Sequence, residues 1–159
     1  MIQQLSKGLL LLIPSLCFGF VNDSIQIESD HAQYHFQEGV MVHQKNVVVH
    51  WQDRTLHADE LKLFKAKEGE LNKMIALGKP AVMNGKLADG TQMIGKANEM
   101  EYNPLTKTLV LKGQAELNQG VNVFTGPKIT LNLETNNIFA DKDGENRPKM
   151  VFEMKDNPA

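Results

Sequence analysis

A single cysteine, Cys17, is the only thiol in the 159-residue chain. It lies in an apolar leading stretch, so no disulfide braces the residues that follow. Beyond residue 20 the only serines are Ser24 and Ser29, and no Gly-x-Ser-x-Gly occurs, which leaves esterase-type catalysis without a nucleophile. No glycine-rich loop is placed to cradle a phosphate, and no cofactor is implied. Basic residues are not in excess: 17 Lys and Arg face 19 Asp and Glu for a net charge of −2, with no basic stripe, which argues against nucleic acid as a partner. Also missing is a run of the roughly 20 apolar residues that a spanning helix requires. What remains is 42% hydrophobic residues in a length that suits one domain, enough for a soluble core.

The longest apolar run, Gly8 to Phe20, is 13 residues long, contains Pro14, follows Lys7 and gives way to Asn22, Asp23 and Ser24. That is the pattern of a secretory signal peptide, assigned to residues 1–20 with cleavage between Gly19 and Val21. A retained anchor is one alternative. A lipidated Cys17 is another, disfavoured by Leu16 where a small residue is expected. The expected organisation is one exported domain over residues 21–153 and a polar tail over 154–159.

After residue 24 the chain breaks into alternating apolar stretches of four to six residues, the period of strands rather than helices. They include Ile25 and Ile27; Tyr34 and Phe36; Val40 and Val42; Val47, Val49 and Trp51; Leu61 and Leu63; Val121 and Val123; and Ile129, Leu131 and Leu133. Turns are expected at Glu38-Gly39, Glu68-Gly69, Asn84-Gly85, Asp89-Gly90, Asn103-Pro104, Gln119-Gly120 and Asp143-Gly144. Asp59 to Leu77 is Lys/Glu-rich, but Gly69 interrupts it, so it reads as two strands around a charged loop, with Lys65 to Glu70 as a solvated hairpin tip.

An offset of 68 residues aligns the chain with itself. It pairs Asp30 with Asn98, Tyr34 with Tyr102, Val42 with Val110, Asn46 with Gln114, Val47 with Ala115, Val49 with Leu117, Leu61 with Ile129 and Leu63 with Leu131. Small-residue turns are expected at Gly78 to Ala81 and Gly113 to Ala115. Lys45, opposite Gly113, and Pro127, opposite Asp59, put the local hairpin geometry there in question. Repeated antiparallel strands can close into a barrel or stack into an elongated jellyroll, and the recurrence of apolar inward positions favours stacking. The interior is then either a continuous channel or an ordinary core filled by side chains.

Five histidines, at positions 31, 35, 43, 50 and 57, raise the rival reading of a jellyroll metal enzyme. They lack tight His-x-His spacing, so exposed or turn-side histidines and no metal site are expected. Asp141 to Gly144 resembles the opening of a calcium loop without its closing Glu and reads as a turn.

The stretches Ile25 to Asp30, Thr55 to Asp59, Gly78 to Ala81 and Gly95 to Tyr102 together resemble the organic-solvent-tolerance (OstA-like) family of periplasmic lipopolysaccharide-transport bridge proteins, in order from about residue 21 to residue 152. The resemblance implies an all-β, elongated, twisted, open β-jellyroll of about sixteen short antiparallel strands. It implies a non-enzymatic carrier whose apolar interior takes the lipid A acyl chains of lipopolysaccharide. The implied partners are an inner-membrane-anchored jellyroll protein, the periplasmic domain of the outer-membrane assembly protein, and further copies of the chain head to tail. A membrane-anchored companion of the same fold is the nearest alternative, and a structural envelope protein with a filled core is another.

Alternation and the repeat nominate Ile25, Ile27, Tyr34, Phe36, Met83, Tyr102, Ile129 and Leu131 as lipid-lining, although a packed core would use the same side chains. Unpaired strand edges at the two ends, at Ile25 to Glu28 and at Met150 to Phe152, would let copies join by strand addition.

Overall fold

The computed structural model describes residues 24–66 and 69–153. The assigned signal peptide, Glu68 of one expected turn and the polar tail lie outside them. Among the described residues there is no helix. Ten strands make one antiparallel sheet: β1 (Ile25–Glu28), β2 (His31–His35), β3 (Val40–Trp51), β4 (Arg54–Lys65), β5 (Leu71–Lys86), β6 (Gln92–Asn103), β7 (Thr108–Gln119), β8 (Asn122–Asn132), β9 (Ile138–Asp141) and β10 (Lys149–Val151). From β3 to β8 each strand pairs with the next. β1 and β2 both pair with β3 at one end of the sheet, and β9 and β10 both pair with β8 at the other. The all-β, open, antiparallel class is as expected, and the segments Ile25 to Glu28 and Met150 to Phe152 do sit at opposite ends.

Among the described residues the strand count is ten, not sixteen, because six of the strands are long and bent. In each ladder from β3 to β8 the register slips near the strand middle, for example between Gln44 and Val47 and between Leu77 and Ala81, and the β4–β5 ladder slips again between Phe64 and Lys65. A bulge adds residues to one strand only, so it bends the strand and can shift which residues face inward. In β4 the buried positions change from Leu56 to Leu61 and Leu63, and in β5 from Met74 and Ala76 to Ala81 and Met83. An alternation that changes phase reads as two short strands, which is how one strand looks like a pair.

These bends correct several expected turns. Asn84-Gly85 lies inside β5, and Gly78 to Ala81 and Gly113 to Ala115 are mid-strand bends. At Gly78 a Cβ would lie 2.4 Å from the Ala81 nitrogen, so only glycine fits that bend. Phe36 follows β2 and Val121 sits in the β7–β8 turn, so neither is a strand residue. The histidines lie within β2, β3 and β4 rather than at turns; four are exposed, and His43 is partly buried with its Nδ1 3.0 Å from Ser29 Oγ.

The repeat is visible in the backbone. Left-handed φ angles recur 68 residues apart: Gly39 (65°) with Lys107 (53°), Lys45 (64°) with Gly113 (74°), Asn46 (50°) with Gln114 (52°), and Gln52 (53°) with Gly120 (59°). Lys45 therefore adopts the geometry that a glycine supplies in the second copy. Pro127 falls in the register gap of β8, where its missing N–H removes no ladder bond.

Candidate functional site

Bending every long strand at one level folds the sheet into two facing halves. One, the β1 half, carries β1, β10 and the adjoining halves of the long strands; the other, the β2 half, carries β2, β9 and the rest. Their inner faces meet: a Cβ at Gly95 in the β1 half would lie 3.6 Å from Leu111 Cδ1 in the β2 half. Between them is one apolar cluster whose fully buried members include Leu61, Met93, Leu111, Leu117, Ile129 and Leu131, and among the described residues no charged or polar one is fully buried. Ion pairs sit on the outer face. Lys112 Nζ donates to Glu99 at 2.8 Å and Glu101 at 2.9 Å, and Lys96 Nζ to Glu116 at 3.1 Å.

These outer bonds set the protonation behaviour. Hydrogen bonds to Glu99 and Glu101 raise the Lys112 pKa. Hydrogen bonds from Lys96 and Asn118 hold Glu116 below its ordinary value, and those from Gln44 and Lys62 do the same for Glu60. Burial lowers His43. Among the described residues no three of His, Cys, Asp and Glu gather as metal ligands.

The interior is filled rather than a continuous channel. A cavity of about 30 Å³ lies within it, lined by Val49, Trp51, Arg54, Leu56, Leu61, Met74, Ala76, Met83, Met100, Tyr102 and Leu109. For scale, an apolar cavity of about 150 Å³ admits benzene. An acyl chain thus enters only if side chains repack or the halves part. Three of the wall residues are methionines, whose unbranched side chains repack most readily.

Of the eight nominated residues, Met83 and Tyr102 line the cavity. Ile129 and Leu131 are fully buried in the same cluster away from it, and Ile25 and Ile27 pack against its edge from β1. Tyr34 and Phe36 are not brought to this interior: their rings meet 4.1 Å apart at the β2 edge, 38% and 80% exposed. Trp51, Arg54, Met74, Ala76 and Met100 went unnominated. Met100 was legible as the alternate of Tyr102, and Trp51 as that of Val49; Arg54 carried no signal, because nothing local says that a strand-end cation turns inward.

The model of the family described as "LptA/(LptD N-terminal domain) LPS transport protein" matches residues 26–137. The chain is 30% identical over 136 residues to the lipopolysaccharide export system protein LptA of Escherichia coli K12, covering 84% of this chain and 73% of that one. It is 27% identical over 134 residues to LptA of Haemophilus influenzae, covering 83% and 78%. Among solved structures, LptH of Pseudomonas aeruginosa, described as the LptA-homologous periplasmic component of the lipopolysaccharide transport device, superposes with a TM-score of 0.76 at 24% identity. That match covers 83% of this chain and 96% of LptH, and shows a shared fold.

Proposed function

The chain belongs to the LptA/(LptD N-terminal domain) LPS transport protein family, and from that membership we propose that it is a periplasmic carrier of lipopolysaccharide. It shields lipid A acyl chains between its half-sheets and bridges the inner and outer membranes for outer-membrane assembly, with no catalytic step of its own. Residues 1–20 would direct export, residues 21–153 would be the carrier domain, and residues 154–159 would be its polar tail.

The observation that carries this reading is the methionine-rich apolar interior between two half-sheets of a sheet left open at both ends. Exposing one methylene costs about 0.8 kcal/mol, so a chain of a dozen carbons costs on the order of 8 to 10 kcal/mol to take through water. An interior that repacks around it removes most of that cost, while the sugar and phosphates stay outside. Met83 and Tyr102 are the nominated residues best placed for contact, with Ile129, Leu131, Ile25 and Ile27 continuing the apolar face. Tyr34 and Phe36 serve the end of the sheet instead.

The partners fit those ends. β1 and β2 stand to β3 as β6 stands to β7: Ile25 faces Trp51 as Met93 faces Gln119, and Tyr34 faces Met41 as Tyr102 faces Leu109. Likewise β9 and β10 stand to β8 as β5 stands to β4: Ile138 faces Leu131 as Met74 faces Leu63, and Met150 faces Phe124 as Met83 faces Leu56. The β5–β6 ladder is thus a template for joining two copies. Carrying its register across the ends sets Ile138 of one copy against Tyr34 of the next, Met150 against Ile27, and Lys149 against Glu28. The apolar and opposite-charge matches support head-to-tail self-association. An inner-membrane-anchored jellyroll protein would use the same kind of edge, as would the periplasmic domain of the outer-membrane assembly protein.

In-cell photo-crosslinking tests the reading. A photoreactive residue at inward Met83 should yield a lipopolysaccharide adduct, and one at outward Asn84 should not. Equal adducts at both positions, or none at Met83, would reject an interior lipid path.

A further inference from the structure

The cavity and the groove outside it share three residues: Trp51, Arg54 and Tyr102. Trp51 ends β3 and Arg54 opens β4 in the β1 half, whereas Tyr102 lies near the end of β6 in the β2 half. The Trp51 and Tyr102 rings meet across the seam at 4.6 Å with their planes 49° apart. Arg54 lies over the Trp51 ring, 5.1 Å from its centroid. Its Nη1 donates to Gln52 Oε1 at 2.7 Å and its Nη2 to the Lys86 carbonyl at 3.2 Å, while its Nε is buried without a hydrogen-bond partner. The Arg54 side chain is only 11% exposed. It has room there because β5 carries Gly85 alongside, where a Cβ would lie 2.6 Å from Arg54 Cγ.

A guanidinium in the wall of an apolar cavity gives up much of its hydration, and packing alone does not call for it. Its carboxylate neighbour is loose: Asp53 stands 3.6 Å away and is itself about half exposed. An incoming anion could replace it. The planar fork of an arginine suits a phosphate in particular, and the groove of about 140 Å³ outside the rings places Lys107 on the opposite lip, beside one carboxylate, Glu134.

We propose that Trp51, Tyr102 and Arg54 form a portal in the seam: the ring pair parts to admit an acyl chain, and Arg54 then holds the phosphate of the same phosphorylated lipid at the mouth. This rests on the lipid-carrier reading above and adds to it a point of entry and a headgroup contact.

Trp51 is the only tryptophan of the chain, so its emission reports on the portal directly. The full exported protein would be titrated with a phosphorylated multi-acyl glycolipid, with the same lipid after phosphatase treatment, and with inorganic phosphate. Displacement of a fluorescent fatty acid would be followed in parallel. Both lipids should displace the probe and shift Trp51 emission, and inorganic phosphate should do neither. Arg54→Gln should lower affinity for the phosphorylated lipid by at least about tenfold and leave the dephosphorylated one nearly unchanged. If that variant fails to fold, Arg54→Lys serves, with a partial loss of the phosphate preference. Probe displacement with no change in Trp51 emission, or equal losses for both lipids in the variant, would overturn the portal while leaving the carrier. A wild-type protein that captures neither lipid would overturn both.

Discussion

Ala76→Leu places three extra carbon atoms against a cavity of about 30 Å³, at a residue that is 1% exposed and forms part of the cavity wall. The void takes up little more than one of them, so the rest strain their neighbours. Overpacking of that kind costs about 1 to 3 kcal/mol, a fall in Tm of roughly 4 to 12 °C by circular dichroism. The larger effect falls on uptake. If the acyl chain uses this space, three methylenes are displaced into water at about 0.8 kcal/mol each, and affinity for a fluorescent fatty acid drops roughly 50-fold. Ala115→Leu is the matched control: Ala115 is equally buried in the same cluster but is not part of the cavity wall. It should lose comparable stability and much less affinity. Equal affinities for wild type and Ala76→Leu would refute the use of this cavity by lipid, and equal losses in both variants would refute its location.

Other outcomes follow from the same packing. Leu111 is fully buried against the facing half-sheet, so Leu111→Ala should cost about 2 to 5 kcal/mol in denaturant unfolding; a cost under about 1 kcal/mol would mean the halves are not packed there. Glu28→Lys should weaken self-association about two- to fivefold in analytical ultracentrifugation, and adding Lys149→Glu should restore it; failure of the double variant to recover would reject the template register. His43 binds its proton less readily in the folded state than in the unfolded chain. Its contribution to stability is therefore intact above about pH 6.5 and is lost as the pH falls through the lowered folded value. Glu60 and Glu116, also lowered, lose theirs at more acidic pH in the same direction. Melting measured from about pH 8 to about pH 5 should show stability falling, with a flatter profile in His43→Gln; an unchanged slope would assign the loss to other groups.

Much of the architecture was legible because strand alternation is local. Leu61 with Leu63 and Ile129 with Leu131 share a face in any strand, and both pairs are buried as the period demands. Pairing Lys45 with Gly113 located two bends, but as turns, since composition alone does not separate a mid-strand bulge from a hairpin. Val40 and Val42 alternate equally well, yet their β3 neighbour Met41 is the residue packed against the core. Alternation says which residues lie together, not which side is covered.

Burial at the ends also escaped local reading. Tyr34 matches Tyr102 by position in the repeat and occupies the corresponding place on its ladder partner. Tyr102 has a further strand, β5, beside it and Trp51 across the seam, whereas Tyr34 sits on the edge strand, with no further strand beyond it among the described residues.

The amino-acid order by itself determined the strand-rich class and the 68-residue duplication, since the first rests on near neighbours and the second on a pattern repeated along the chain. Only the tertiary structure decided that the interior is filled, that a small cavity in it has three methionines in its wall, and that Trp51, Tyr102 and Arg54 converge over it. Those features depend on how two half-sheets close on each other after six strands bend. That closure joins residues some 50 positions apart, a distance over which neither periodicity nor composition carries information.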